Sequence, residues 1–471
     1  MTTLTIDEVT VSHGRSRLVD AADLRLEPGV PLTVVGESGS GKSLLAHALM
    51  GTLPGELRVT GRMALGGTPY DLATRPGRGL WGSRLAMLPQ EPSLALDPTM
   101  RVRPQVAEGA SVRRPGSRAA RRAADRALDG LGLADAAHAW PHQLSGGMAQ
   151  RVAYAAATVG GVDVLIVDEP SKGLDEAAVD RIADLLTAHL ARGGLLLTIT
   201  HDLRLARRLG GELLVMQGAR VVDRGPGRTL LDEPTHDYTR ALVAAEPTRW
   251  KHEWMATTRD PGASPEPLVS ASGVTKGYGA TTLFRDLSLE IGTGERWALV
   301  GPSGVGKTTL GNALLGLAPV DHGEVRHHPA LAPGRAQKLY QDPVLSFPRR
   351  VALGTALGDV LRRHGVDRKR PERLMESVGL APDLLARRPD QLSGGELQRL
   401  AVVRAMLLRP ALVFADEPTS RLDLLSQERT MDCLMTEVDA SGCALVLVTH
   451  DHGLAAAVTD RQVTLGAQRG P

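Results

Sequence analysis

The chain has 471 residues, too many for one ordinary hydrophobic core and suited to two domains of roughly 200 residues each. Apolar residues make up 42% and charged residues 23%, a globular composition that excludes a disordered chain. Lys+Arg number 55 against 53 Asp+Glu, so a net charge of +2 supplies no global field to hold a polyanion.

The first residues (MTTLTIDEVT) lack the apolar core of a secretory signal. No apolar stretch anywhere reaches the ~18 residues that cross a bilayer, so any membrane work goes through a partner. Residues 32–35 form a short apolar run, read as a buried parallel strand. The loop Gly36-Glu37-Ser38-Gly39-Ser40-Gly41-Lys42-Ser43 follows, and then apolar positions at helical spacing (Leu44, Leu45, Ala48, Leu49). Glycines at these offsets let backbone N–H groups close around phosphates at a helix start. Lys42 then neutralises the outer phosphates and Ser43 holds Mg²⁺. An arginine cluster (Arg113, Arg114, Arg118, Arg121, Arg122, Arg126) has no aromatic neighbours for base stacking and reads as a solvated helix face.

Leu144-Ser145-Gly146-Gly147 precedes a helical stretch over 148–157 and offers a hydroxyl and bare N–H groups at a helix start. The apolar run 164–167 ends in Asp168-Glu169-Pro170, and the run 195–200 leads into Thr200-His201-Asp202. A carboxylate ending a buried strand is costly unless it meets a cation, which makes Asp168 the natural partner of Mg²⁺. Glu169 is then placed to orient or deprotonate a water. Residues 246–266 are polar, interrupted by Pro and Gly, and without sustained period, so they read as a linker between a domain over 1–245 and another over 267–471. Its 21 residues would reach ~70 Å when extended.

Beyond it the whole pattern returns. The strand 297–300 runs into Gly301-Pro302-Ser303-Gly304-Val305-Gly306-Lys307-Thr308. A second arginine run (Arg362, Arg363, Arg368, Lys369, Arg370, Arg373) follows and reads, like the first, as a solvated helix face, then Leu392-Ser393-Gly394-Gly395, the strand 412–415, Asp416-Glu417-Pro418, and Thr449-His450-Asp451. The offsets between copies are 265 at the lysines, 248 at the serines and glutamates, and 249 at the histidines. Matched copies this long are a domain duplication. Strand–loop–helix alternation predicts, twice, an α/β domain with a largely parallel sheet. Cys433 and Cys443 are the only cysteines and have no CxxC spacing, so reduced thiols are expected.

In this order, and twice, these motifs resemble the ATP-binding-cassette nucleotide-binding domain over nearly the whole chain. The resemblance implies two tandem P-loop domains, each with a helical subdomain and a small antiparallel β part, that hydrolyse ATP with Mg²⁺. It implies that Gln90 and Gln341 reach Mg²⁺ and the lytic water, that His201 and His450 contact the γ-phosphate, and that Asp175 and Asp423 lie in loops crossing between domains. It further implies that ATP is sandwiched in an intramolecular pseudo-dimer. Gly36–Ser43 would then work with Ser393–Gly395, and Gly301–Thr308 with Ser145–Gly147. Tyr278 stands at the adenine-stacking position of the second half, where the first half has His13.

Residues 91–102 (EPSLALDPTMRV), 144–151 (LSGGMAQR), 235–247 (THDYTRALVAAEP), 341–350 (QDPVLSFPRR) and 392–399 (LSGGELQR) are similar to the oligopeptide/dipeptide/nickel importer branch. Residues 171–175 (SKGLD) depart from the Thr-rich loop common there. This branch implies two permease subunits, an extracytoplasmic binding protein, attachment at the cytoplasmic membrane face, and no nucleic acid. The other readings are a tandem ATPase acting on ribosomes or nucleic acid, or the ATPase of another importer branch.

Overall fold

The computed structural model describes residues 2–91, 95–110, 116–255, 267–279, 281–302 and 304–466. Two compact units divide between Val243 and Ala244.

In the first unit, β1 (Leu4–His13) and β2 (Ser16–Leu26) form an antiparallel hairpin that continues through β4 (Arg58–Leu65) to β5 (Thr68–Asp71). The second sheet has the order β10-β9-β3-β8-β7-β6, with β3 (Leu32–Gly36), β6 (Leu85–Leu88), β7 (Val164–Asp168), β8 (Leu195–Ile199) and β9 (Glu212–Gln217) parallel. Only β10 (Arg220–Pro226) runs antiparallel, at one edge. Alternation along β7 divides the core. Val164 and Ile166 pack with α1 (Lys42–Met50) and the antiparallel sheet, while Leu165 and Val167 pack against α5 (Glu176–Ala191). A helical group, α2 (Val102–Gly109), α3 (Arg118–Gly130) and α4 (Gly146–Thr158), shares its own cluster around Val106, Leu128 and Val152. On α3, Ala120, Ala124 and Leu128 are buried at four-residue spacing, and Arg118, Arg121, Arg122 and Arg126 are exposed. The unit closes with α6 (Leu203–Leu209) and α7 (Asp237–Ala244).

The second unit repeats the plan with fewer strands. β11 (Val269–Tyr278), β12 (Thr281–Ile291) and β14 (His322–His327) are antiparallel. β15 (Ala336–Leu339), β16 (Leu412–Asp416), β17 (Ala444–Val448), β13 (Arg296–Val300) and β18 (Arg461–Thr464) form an all-parallel sheet in that order. Its helices are α8 (Lys307–Leu314), α9 (Leu353–His364), α10 (Arg370–Ser377), α11 (Gly394–Met406), α12 (Leu424–Ser441) and α13 (His452–Val458). In the second arginine run, Arg370 is buried rather than solvated, pairing with Glu437 and donating to the Met406 carbonyl.

Part of the stretch read as a linker is packed. Trp250 and Trp254 are 5% exposed within the core of the second unit, and Trp254 Nε1 donates to Asp432 Oδ1 at 2.9 Å. His252 stacks on Trp254 with ring centroids 5.3 Å apart. Each buried indole removes roughly 150–250 Å² from water, so two tryptophans fasten a segment whose composition is otherwise polar. Residues 256–266 lie outside the described residues. Among the described residues, no helix is long and apolar enough to cross a membrane.

Candidate nucleotide sites

Each unit places a glycine loop between a buried strand and a helix start. Gly36 has φ 149°, and a Cβ there would sit 2.0 Å from the Met216 carbonyl oxygen; Gly301, at φ 145°, would meet Leu465 O at 2.3 Å. Neither position takes a side chain, so each loop leaves its strand close against the neighbouring strand. Lys42 and Lys307 begin α1 and α8 and are 7% exposed. Lys42 Nζ donates to the carbonyls of Gly36 (2.8 Å) and Glu37 (2.6 Å). Lys307 Nζ donates to those of Gly301 (2.7 Å) and Pro302 (2.9 Å). Both ammonium groups are thus held over the loops and next to the orphan N–H groups of a helix start. Ser38, Gly39, Ser40 and Gly41 complete the first loop, with Ser40 Oγ donating to Glu37 O at 2.9 Å. Gly304, Val305 and Gly306 complete the second, while Ser303 lies outside the described residues.

Ser43 Oγ donates to Asp168 Oδ1 at 3.1 Å, and Thr308 hydrogen-bonds Asp416 in the same way. Burial pushes both carboxyls above their ordinary range, and the hydroxyl hydrogen bonds offset this only in part. A hydroxyl and a carboxylate that burial discourages from ionising are a donor set a divalent cation would satisfy, so the residues fit Mg²⁺.

Glu169 and Glu417, one step further, stand at φ 50° and 48°, the left-handed region that a non-glycine residue enters only at a cost of about 1–3 kcal/mol. Their own N–H groups hold the turn by donating to Ile199 O (2.8 Å) and Val448 O (2.9 Å). The turn brings each carboxylate to a histidine. His201 Nδ1 lies 2.7 Å from Glu169 Oε2, and His450 Nδ1 lies 3.5 Å from Glu417 Oε1. Burial would raise both glutamates, but the histidines' hydrogen bonds and charge carry them below their ordinary value. Burial opposes charge on the histidines too, yet each glutamate holds its histidine above the ordinary imidazole value.

The halves differ at the glutamines. Gln341 Nε2 donates to Glu417 Oε2 at 3.1 Å, whereas Gln90 is exposed and no such bond joins it to Glu169. His13 and Tyr278 occupy matching places, each ending the first strand of its hairpin; Tyr278 is 60% exposed. Ser145 and Ser393 cap α4 and α11. A Cβ on Gly146 would meet nothing within 4 Å, and one on Gly147 or Gly394 only ordinary contacts, so packing inside each unit does not demand these glycines. At Gly395 the space is tighter, with Leu422 Cδ2 3.2 Å away. Asp175 and Asp423 cap α5 and α12, accepting from Ala178 N (2.8 Å) and Ser426 N (2.9 Å).

One positioning residue escaped the sequence reading, and its counterpart in the second half is buried at the matching place. Gln150 and Gln398 are buried on α4 and α11, and Gln150 Nε2 donates to Pro170 O beside Glu169. Their common offset of 248, shared with the serines and glutamates, was the available signal.

The family profile described as "ABC transporter" matches residues 19–172 and 284–420. The chain is 32% identical to the "Uncharacterized ABC transporter ATP-binding protein YejF" of Escherichia coli (strain K12), over 96% of this chain and 91% of that protein. It is 31% identical to the "Glutathione import ATP-binding protein GsiA" of Salmonella typhi, over 95% of this chain and 82% of that protein. A solved structure titled "RNase-L Inhibitor" superposes with TM-score 0.70 at 22% identity, covering 97% of this chain and 88% of that one, a likeness of fold. Two phosphate loops, two strand-end Asp-Glu pairs and two histidines in matching places agree with these comparisons: the chain belongs to the ABC transporter family, as an ATP-binding protein with two ABC domains.

Proposed function

We propose that the chain hydrolyses Mg-ATP to power an importer of the peptide, nickel or metal-chelate uptake branch, working with two permeases and an extracytoplasmic binding protein. The likeness to a glutathione import ATPase over 95% of the chain carries this reading. It also favours an importer over a ribosomal factor, because the likeness to a solved structure titled as an archaeal ribosome recycling factor (TM-score 0.66) is one of fold at 22% identity.

In each half the loop N–H groups and Lys42 or Lys307 take the phosphates. Ser43 with Asp168, and Thr308 with Asp416, hold the cation, which when bound neutralises charge developing on the phosphates. Glu169 and Glu417, kept ionised by their histidines, accept a hydrogen bond from the attacking water and draw its proton as it adds to the γ-phosphorus. The bond from the γ-phosphorus to the β–γ bridging oxygen breaks as the water adds, ADP leaves, and His201 and His450 serve the oxygens of the transferred γ-phosphoryl group. Ser145–Gly147 and Ser393–Gly395, glycines that their own units' packing leaves largely optional, serve the nucleotide of the opposite half.

The segments after Gln90 and Gln341 receive the permeases, so closure around Mg-ATP is felt there. The test is retention in the membrane fraction when two candidate permease subunits are co-expressed with the chain. Charge reversal at Arg349 and Arg350 should weaken retention and leave ATP binding intact. Co-sedimentation with ribosomes instead, insensitive to that reversal, would overturn the importer reading.

A further inference from the structure

The two serine-glycine helix starts differ at one position that bears on charge. In the second half, Ser393 Oγ donates to Glu396 Oε2 at 2.8 Å, and the Ser393 N–H donates to the same oxygen at 2.8 Å. Glu396 N returns a bond to Ser393 Oγ at 3.2 Å, closing a capping box. In the first half the matching residue is Met148. Ser145 Oγ accepts from Met148 N at 3.3 Å, and no acceptor for its own proton stands among the described residues. The two segments otherwise share Leu-Ser-Gly-Gly, a buried glutamine and an arginine at the same spacing.

We propose that Glu396 is a positioning residue that makes the two ATP sites unequal: it holds the Ser393 hydroxyl and places a negative charge beside it, so a phosphate binds less tightly there than at Ser145. This rests on the reading that the serine-glycine segments take nucleotide phosphate. A phosphate oxygen needs the serine proton that Glu396 already accepts, and the carboxylate repels the anion that must displace it. Partial burial works against that charge, but the bonds from Ser393 hold the Glu396 carboxyl below the usual range, so the charge is present at neutral pH. Met148 opposes neither the proton nor the anion.

The experiment uses the full chain with Glu169→Gln and Glu417→Gln blocking hydrolysis, and equilibrium binding of radiolabelled ATP with Mg²⁺. Adding Lys307→Ala leaves the Gly36–Ser43 site, which the reading pairs with Ser393; adding Lys42→Ala leaves the other, paired with Ser145. Glu396→Gln keeps an oxygen for the capping box and removes the charge. It should tighten ATP roughly three- to tenfold in the Lys307→Ala chain alone, with the gain shrinking at 1 M salt, where the Debye length is about 3 Å. Met148→Glu should weaken ATP by a similar factor in the Lys42→Ala chain alone. No change from either substitution, with ATP still bound, overturns the proposal and leaves the ATPase reading standing. Effects at the opposite sites overturn the pairing of loop and serine. Absence of ATP binding in the hydrolysis-blocked parent overturns the nucleotide reading itself.

Discussion

Replacing Gly311 by alanine tests how the second phosphate-loop helix is seated. Gly311 lies in α8, four residues after Lys307, and a Cβ built there would stand 1.9 to 2.5 Å from three atoms of the Phe414 ring. Phe414 is 1% exposed in β16, so the ring has little room to retreat. An alanine in a helix interior ordinarily gains ~1 kcal/mol over glycine. Overpacking a dense core costs ~1–3 kcal/mol, and a contact this short belongs at the upper end. The net expectation is a loss of ~1–2 kcal/mol, or about 3–6 °C in the midpoint of the second unit by calorimetry on the full chain. The first half has already solved the same constraint, with Ala46 and Ile166 at the corresponding positions, both fully buried. Gly311→Ala with Phe414→Ile should therefore recover at least half of the loss, giving a coupling within the ~0.5–3 kcal/mol of contacting pairs. ATP affinity should track stability, because a displaced α8 moves Lys307 and Thr308 relative to Asp416. Gly311→Ala at parental stability or above would refute the seating of the helix on that ring.

Glu169→Gln and Glu417→Gln should each abolish most steady-state hydrolysis while ATP still binds; near-full turnover in one of them would mean that its half does not hydrolyse. The thiols of Cys433 and Cys443, buried and pushed up to about 11 and about 12, should resist an alkylating reagent at about pH 8 until the chain unfolds. Their ionisation in the unfolded chain also lowers stability as pH rises from the ordinary thiol value of 9.0 toward those values. For the Glu169–His201 pair, the raised histidine gives stability that is full below its ordinary 6.5 and lost as pH rises through the folded value. The lowered glutamate gives stability that is full above its ordinary 4.5 and lost as pH falls through its own. The stability deficit of His201→Asn should accordingly be largest near about pH 5–6 and smaller at about pH 9 by urea denaturation.

What was legible in the sequence is what local chemistry dictates. Runs such as 164–167 and 412–415 are apolar throughout because both faces of a parallel sheet are covered, and such runs stand out. Glycines at 36 and 301 are forced by a carbonyl a bond length or two away, so loop and lysine appear together in both halves. The packed tryptophans at 250 and 254 were illegible because two indoles carry no period, and their partners, such as Asp432, lie nearly 180 residues onward. The left-handed turns at Glu169 and Glu417 were hidden for a different reason, since glutamate gives no hint of positive φ.

The left-handed turns at Glu169 and Glu417 bear on mechanism. An extended residue ending β7 would direct its side chain to one of the two sheet faces, where the neighbours are the leucines and valines of the core. Turning the backbone at 169 instead sends the carboxylate across the strand end to His201, beside the serine-bonded Asp168. The same departure at 417 reaches His450 and Gln341. The strain is tolerated because the N–H of each glutamate is held by the adjacent parallel strand, at Ile199 and Val448. The duplicated sheet, and not the Asp-Glu-Pro sequence alone, thus sets where the two carboxylates stand.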